Sequence, residues 1–335
     1  MSHSTVKTQL TKDSGCATVN TMFTRVFLVI FSLILLTDQS AFAYWIWTPK
    51  SGKWVNPKTA VKPTPKEQAE AAIFLFEGKH YEEAGKEFRK LIKAYPKSAE
   101  AAVSQYYLGR INEAAGKPYE AFKAYQLLID KYPFSDKIQE AIERQYGIGE
   151  EFVSGKRKGV SAVFAPENPG VEIFSKVVEN SNYGPLADKA QYKLGLVLKG
   201  LSRYYEAEEA FFKLIKTYPD SEWVPAAQFQ IAACRAAVSQ GPDYDQGATK
   251  EAKERFQAFV NTHPDAVLSP EAQKNIDALK DKEACSAFNS GRFYEKQRIY
   301  QSARIYYEDV VKDYPGTMWA AKSLERLQIL ERKKK

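Results

Sequence analysis

Residue types able to make or break bonds are few in this 335-residue chain, and they are scattered. The three histidines, His3, His80 and His263, fall in a polar leader, in a turn and before a proline. None shares a helix face with a second ligand type, so no metal site is expected. Cys234 and Cys285 sit in helical stretches of different segments and read as buried thiols. A disulfide between them stays open, because an exported chain permits one and sequence does not show the close approach it needs. There is no nucleophile elbow, phosphate-binding loop or dinucleotide fingerprint. Glu and Lys recur at helical spacing and read as solvated faces rather than acid/base pairs. The chain is therefore read as a non-enzyme with no cofactor. What remains is recognition by rings and cations, which an ordered scaffold must display.

That scaffold is written in a repeated frame. An alanine is followed by an aromatic four residues on, a β-branched residue eight on and a proline twelve on. The copies are Ala84/Phe88/Ile92/Pro96, Ala121/Tyr125/Ile129/Pro133, Ala207/Phe211/Ile215/Pro219, Ala252/Phe256/Val260/Pro264 and Ala303/Tyr307/Val311/Pro315. Steps of four line these residues along one helix face. The alanine lets a neighbouring helix approach, the ring fills the space beside it, and the proline ends the helix. Ser98, Ser135 and Ser221 stand two residues after their prolines, where a hydroxyl caps the next helix. Upstream of the anchors, shorter helical signals end near Gly78, Gly116 and Gly200. The unit is helix, tight turn, helix, proline. Residues 170–182 look like a worn copy, with Phe174 and Val178 kept but Gly170 in place of the anchor.

This frame resembles the tetratricopeptide repeat, a unit of about 34 residues. The small residue that family places in the first helix falls twelve before the anchor, at Ala72, Gly109, Gly195 and Gly291. The expected fold is all-α, a superhelical solenoid of about five to six helix pairs over residues 66–332. Intervals between anchors exceed the usual repeat length, which predicts extra loops or longer helices near 153–168, 237–248 and 265–290. By position, the resemblance turns Phe76, Tyr106, Arg110, Tyr192 and Lys199 toward the concave face. An aromatic and cationic groove there would suit an extended, apolar-to-acidic peptide.

The chain starts with a different kind of segment. Arg25 precedes an apolar run over residues 26–36, and Ala41-Phe42-Ala43 supplies small residues for cleavage. That is the plan of a secretory signal peptide at residues 22–43, and the run is short for a bilayer span. Residues 1–21 read as an over-extended start or a long n-region, with Met22 the more ordinary start. The cleavage point carries no cysteine, so no acyl anchor is expected there. The formal net charge is +7. The basic tail at 333–335 reads as a solvated helix end rather than a nucleic-acid site. Residues 44–65 hold Trp45, Trp47 and Trp54 around a Pro-Lys-Ser-Gly turn, then a proline-rich linker. The tryptophans predict a short β-hairpin or extended arm that either caps the first repeat or contacts a membrane or partner.

The last two units carry a closer resemblance. Asp245-Gln246-Gly247-Ala248 before Ala252, Phe256 and Pro264 resembles the third repeat of the BamD (YfiO) family of β-barrel assembly factors. So does the long helical stretch through Ile276, Leu279 and Ala287 into Gly291-Arg292-Phe293-Tyr294, Ala303, Arg304 and Tyr314-Pro315. The resemblance implies a periplasmic scaffold, peripheral at the outer membrane and monomeric within a hetero-complex. Its C-terminal repeats would hold a POTRA-bearing barrel insertase, and its N-terminal repeats would engage nascent barrel substrates. The missing acylation cysteine and the extra repeat depart from that family. The alternative within binding proteins is a periplasmic adaptor of the Tol–Pal, cell-wall coordination type.

Overall fold

The computed structural model describes residues 45–48, 52–56, 60–154, 168–181, 184–239 and 246–332. The expected signal peptide, the segment before it, Cys16 and the 333–335 tail lie outside them. The chain divides into two compact units, Met1–Lys62 and Pro63–Lys335. In the first, β1 (Ile46–Thr48) pairs antiparallel with β2 (Lys53–Val55), with Trp47 opposite Trp54. Gly52 holds φ 62°, in the left-handed region the return to β2 requires.

The second unit contains thirteen helices among the described residues. Six helix pairs follow one another: α1 (Pro65–Glu77) with α2 (Tyr81–Ala94), α3 (Ala99–Ala114) with α4 (Pro118–Lys131), α5 (Ile138–Val153) with α6 (Pro169–Ser181), α7 (Ala187–Gly200) with α8 (Tyr204–Thr217), α9 (Val224–Val238) with α10 (Gln246–Thr262), and α11 (Ser269–Lys296) with α12 (Tyr300–Asp313). A terminal helix, α13 (Met318–Arg332), follows without a described partner of its own. Each helix packs on the next, the arrangement of a helical repeat solenoid. The worn copy forms α6 through Ser181, a full second helix, with Gly170 buried as the alanine is elsewhere.

The frame works as its spacing demands, with one shift. All five anchor alanines and all six aromatics at the next frame position, Phe88, Tyr125, Phe174, Phe211, Phe256 and Tyr307, are fully buried. The β-branched residue eight on is only partly buried in five copies, and the residue before it fills the core: Leu91, Leu128, Leu214, Phe259 and Val310. At about 100° per residue, eight steps drift roughly 80° off the anchor line, whereas seven return to within about 20° of it.

Helix ends repeat as closely. Tyr95, Tyr132, Tyr218 and Tyr314, each before a proline, leave the helix at φ near −130° and ψ 51–64°. Ser98 accepts the Ala101 amide as the N-cap of α3. Ser135 and Ser221 instead accept the amides of Lys137 and Trp223, two residues on, and so shape the turn before α5 and α9 rather than capping the helix. The tight turns within pairs are also displaced from the glycines the sequence highlights. The left-handed residue is Lys79, Gly116, Ser202 or Arg298, five before its anchor each time. Two hydrogen bonds close each turn, for example His80 N to Leu75 O and Lys79 N to Phe76 O, both at 2.9 Å.

Candidate partner-binding face

The first helices of the pairs carry the residues singled out for recognition. Their close approach to the second helices rests on glycine. A Cβ on Gly109 would lie 2.3 Å from Tyr125, on Gly195 2.5 Å from Phe211, and on Gly291 2.7 Å from Tyr307. Gly149 fills the same role against Phe174, at 2.8 Å. The twelve-residue rule misses it, because the connection from α5 to α6 is longer than the other turns within pairs.

Three residues before each of these glycines, and before the buried Ala232 that takes the same place in α9, stands an aromatic that packs on the buried ring of the second helix. Tyr106–Tyr125, Tyr146–Phe174, Tyr192–Phe211, Phe229–Phe256 and Phe288–Tyr307 have ring centroids 5.8, 5.6, 5.6, 5.3 and 5.5 Å apart. This corrects the assignment of Tyr106 and Tyr192 as groove walls. They are 2% and 8% exposed, and their rings belong to the core, so neither offers a stacking face. The Tyr106 hydroxyl still reaches a polar cluster. It donates to Glu140 and receives Arg144 Nε at 2.9 Å and Arg110 Nη1 at 3.2 Å. Tyr192 is covered by Trp223, stacked at 4.9 Å.

Phe76, Tyr106 and Arg110 come together. The Arg110 guanidinium lies 5.8 Å over the Phe76 ring and 5.9 Å over Tyr106, and both Phe76 and Arg110 are half-buried. Lys199 belongs to a different repeat and donates to Gln230 Oε1 at 2.6 Å.

That contact is one of a set. Four residues after the small position, a first-helix side chain meets a residue 31 positions on, in the next first helix. In the second pair Glu113 accepts Tyr125 Oη at 2.9 Å and Arg144 Nη1 at 2.8 Å. In the sixth, Glu295 accepts Tyr307 Oη and Arg326 Nε, both at 3.0 Å. In the first, Phe76 meets Tyr107 edge-on at 4.9 Å, and Tyr107 stacks on Phe88 at 5.1 Å. Burial and the Glu295 carboxylate together push the Tyr307 hydroxyl up to about 12. Burial and Glu113 push Tyr125 in the same direction.

Two clefts open beside these junctions. One of about 250 Å³ is lined by Glu113, Pro118, Arg144 and Glu151. The other, about 630 Å³, lies between α11 and α13. Phe288 and Trp319, 5.4 Å apart, form its apolar wall, and Arg292, Lys296, Lys322 and Arg326 line it with cations. Its carboxylate, Glu295, is engaged by Arg326 and Tyr307. Lys322 Nζ sits 4.4 Å over the Trp319 ring. Sequence reading missed this cleft, although the step of 31 from Glu295 leads to Arg326.

The reactive groups stay dispersed. His263 shares a hydrogen bond of 2.8 Å with Gln228, and His80 is exposed before α2. Cys234 is buried, and burial raises its thiol to about 11. Cys285 is only partly buried, unlike the expectation, at the edge of the larger cleft, and the two thiols are not bonded to each other. Among the described residues no cluster of three or more His, Cys, Asp or Glu could hold a metal ion, and no helix is long and apolar enough to cross a membrane. Trp45, Trp47 and Trp54, in the hairpin unit, are exposed.

Residues 235–334 match the family model YfiO, described as an outer membrane lipoprotein. Residues 70–98, 103–135 and 189–221 match a tetratricopeptide-repeat model. The outer membrane protein assembly factor BamD of Rickettsia prowazekii (strain Madrid E) is 23% identical over 190 residues, which is 46% of this chain and 75% of that protein. Among solved structures, the C-terminal part of a TPR repeat-containing protein from Cytophaga hutchinsonii is similar at 19% identity and a TM-score of 0.35, over 78% of this chain and 88% of its own. A tetratricopeptide repeat protein from Parabacteroides merdae ATCC 43184 gives 14% and 0.34, over 80% and 98%.

Proposed function

We propose that this chain, a tetratricopeptide-repeat protein whose residues 235–334 form a YfiO-type block, is a periplasmic scaffold of outer-membrane β-barrel protein assembly. In this reading it is exported by the segment at 22–43 and works peripherally at the outer membrane. Residues 44–65 form a Trp-rich arm, and 66–332 the solenoid. The C-terminal repeats engage a POTRA-bearing insertase, and the N-terminal repeats engage nascent barrel proteins.

One observation carries the reading. The YfiO-matched block spans α10 to α13 and so contains the whole wall of the larger cleft, where Phe288 and Trp319 are ringed by Arg292, Lys296, Lys322 and Arg326. Rings give an anchor its buried area, and cations select an acidic partner. At the other end, Phe76 and Arg110 remain available to an extended segment, with Lys199 a separate contact farther along. With Tyr106 and Tyr192 in the core, charge and one aromatic edge carry that contact rather than ring stacking.

Affinity capture of the tagged protein from native envelope membranes tests the reading. A POTRA-bearing insertase is the expected catch, and Arg292→Glu with Lys322→Glu is expected to lose it while the helical circular dichroism stays unchanged. Recovery of Tol–Pal type or peptidoglycan-associated proteins instead would overturn the assembly role and leave only the scaffold.

A further inference from the structure

The hairpin unit carries a surface that the solenoid does not account for. Directly opposed residues of an antiparallel pair share a face, which puts Trp47 and Trp54 together. Trp45, two residues before Trp47, falls on the same side of the pleat. The three indoles are 60%, 49% and 64% exposed. A two-stranded hairpin alone is marginal in water, and three exposed indoles within ten residues make an apolar surface that a soluble protein rarely leaves open.

Charge identifies the cover. From Tyr44 to Lys66 the sequence holds Lys50, Lys53, Lys58, Lys62 and Lys66, and no Asp or Glu. Indole rings, apolar in the body and polar at the N–H, settle at the headgroup level of a bilayer. Lysines near them in the sequence are drawn to anionic lipid, each by a few-fold in affinity, within a distance that salt shortens. We propose that the Trp45/Trp47/Trp54 face docks on an anionic lipid surface, with the flanking lysines supplying the attraction and the indoles the insertion. This deepens the peripheral membrane location proposed above and rests on it only for which membrane is met.

The test uses the full chain and does not involve the insertase. Vesicles of phosphatidylcholine, with or without phosphatidylglycerol, carry a bromine-labelled lipid that quenches tryptophan on contact. Quenching is expected with the anionic vesicles, and added salt should reduce it. Trp45→Ala/Trp47→Ala/Trp54→Ala should remove most of it, because Trp223 and Trp319 are half-buried against Tyr192 and Phe288. Lys50→Gln/Lys62→Gln keeps every indole and should raise the lipid concentration for half-quenching on the order of tenfold. Equal quenching by purely zwitterionic vesicles, no quenching by either, or quenching undiminished by the triple substitution overturns the proposal. So does protection of the indoles by a captured acidic protein in place of lipid. If the triple variant loses its helical signal, the lysine variant decides.

Discussion

Gly109→Ala is the sharpest perturbation of this fold, because the added methyl has nowhere to go. Its Cβ would stand 2.3, 2.6 and 2.7 Å from three ring atoms of Tyr125. Ordinary contact begins near 3.4 Å, so α3 and α4 must part by about an ångström or the ring must slide. Tyr125 is fully buried, and its hydroxyl is held by Glu113, which also takes Arg144. Sliding therefore weakens a charge-assisted hydrogen bond as well as the packing. Overpacking costs about 1–3 kcal/mol, and a weakened bond to a charged group adds on the order of 1 kcal/mol. Alanine returns roughly 1 kcal/mol of helix propensity. The net expectation is a loss of about 2 kcal/mol. Gly147→Ala is the control, since that residue is an exposed helical glycine with nothing within 4 Å of its added Cβ. It should gain about 0.8 kcal/mol. Solenoids need not unfold in one step, so urea midpoints should be paired with amide exchange resolved to α3 and α4. If both variants shift stability by the same sign and size, the close-approach argument is wrong.

The turns within pairs give a second set of outcomes. Lys79→Gly, Ser202→Gly and Arg298→Gly relieve left-handed strain of about 1–2 kcal/mol, less the added chain freedom of glycine, so each should stabilise by about 0.5–1 kcal/mol in thermal melts. Glu295→Gln should cost about 2 kcal/mol, discounted because Arg326 is partly exposed, and should lower the Tyr307 titration in an ultraviolet difference spectrum without returning it to normal, since burial persists. Tyr307 protonates more readily folded than unfolded. Its contribution is therefore complete below its unfolded value of about 10 and is lost as pH rises through about 12, which chemical unfolding at a series of alkaline pH values will register. Arg110→Glu with Lys199→Glu should weaken capture of an unfolded barrel segment about fivefold or more with the fold intact, and unchanged affinity would remove both residues from the recognition surface.

Periodicity made the fold legible, and it misled where two faces of one helix had to be told apart. The anchor alanines and their aromatics could be placed from sequence because packing demands a small residue and a large one at fixed helical offsets. The worn copy at Gly170 was also readable, since glycine satisfies the same demand. Tyr106 and Tyr192 were misplaced for a related reason. A tyrosine on a first helix can bury its ring and still present its hydroxyl, and residue type does not reveal which end faces out. The turn residues were obscured because hydrogen bonding at the helix end fixes the left-handed position, even where it falls on lysine, serine or arginine. The cleft lined by Trp319 and Arg326 was hidden by distance along the chain. Its parts are brought together only by the stacking of α13 on α11.

The step of 31 residues between successive first helices gives the order of the repeats a physical basis. Phe76 faces Tyr107, Glu113 faces Arg144, Lys199 faces Gln230 and Glu295 faces Arg326. Each junction thus matches one neighbour and mismatches others. A chain rearranged so that α7 preceded α5 would set Lys199 against Arg144, two like charges. With α1 in that place, Phe76 would deprive the Arg144 guanidinium of the Glu113 carboxylate and leave it only Glu140 of its own helix. The repeats share one shape, yet they are not interchangeable parts. Their edges address them, so an array shortened or shuffled by recombination would carry its defect at the seam, in a single unmatched pair.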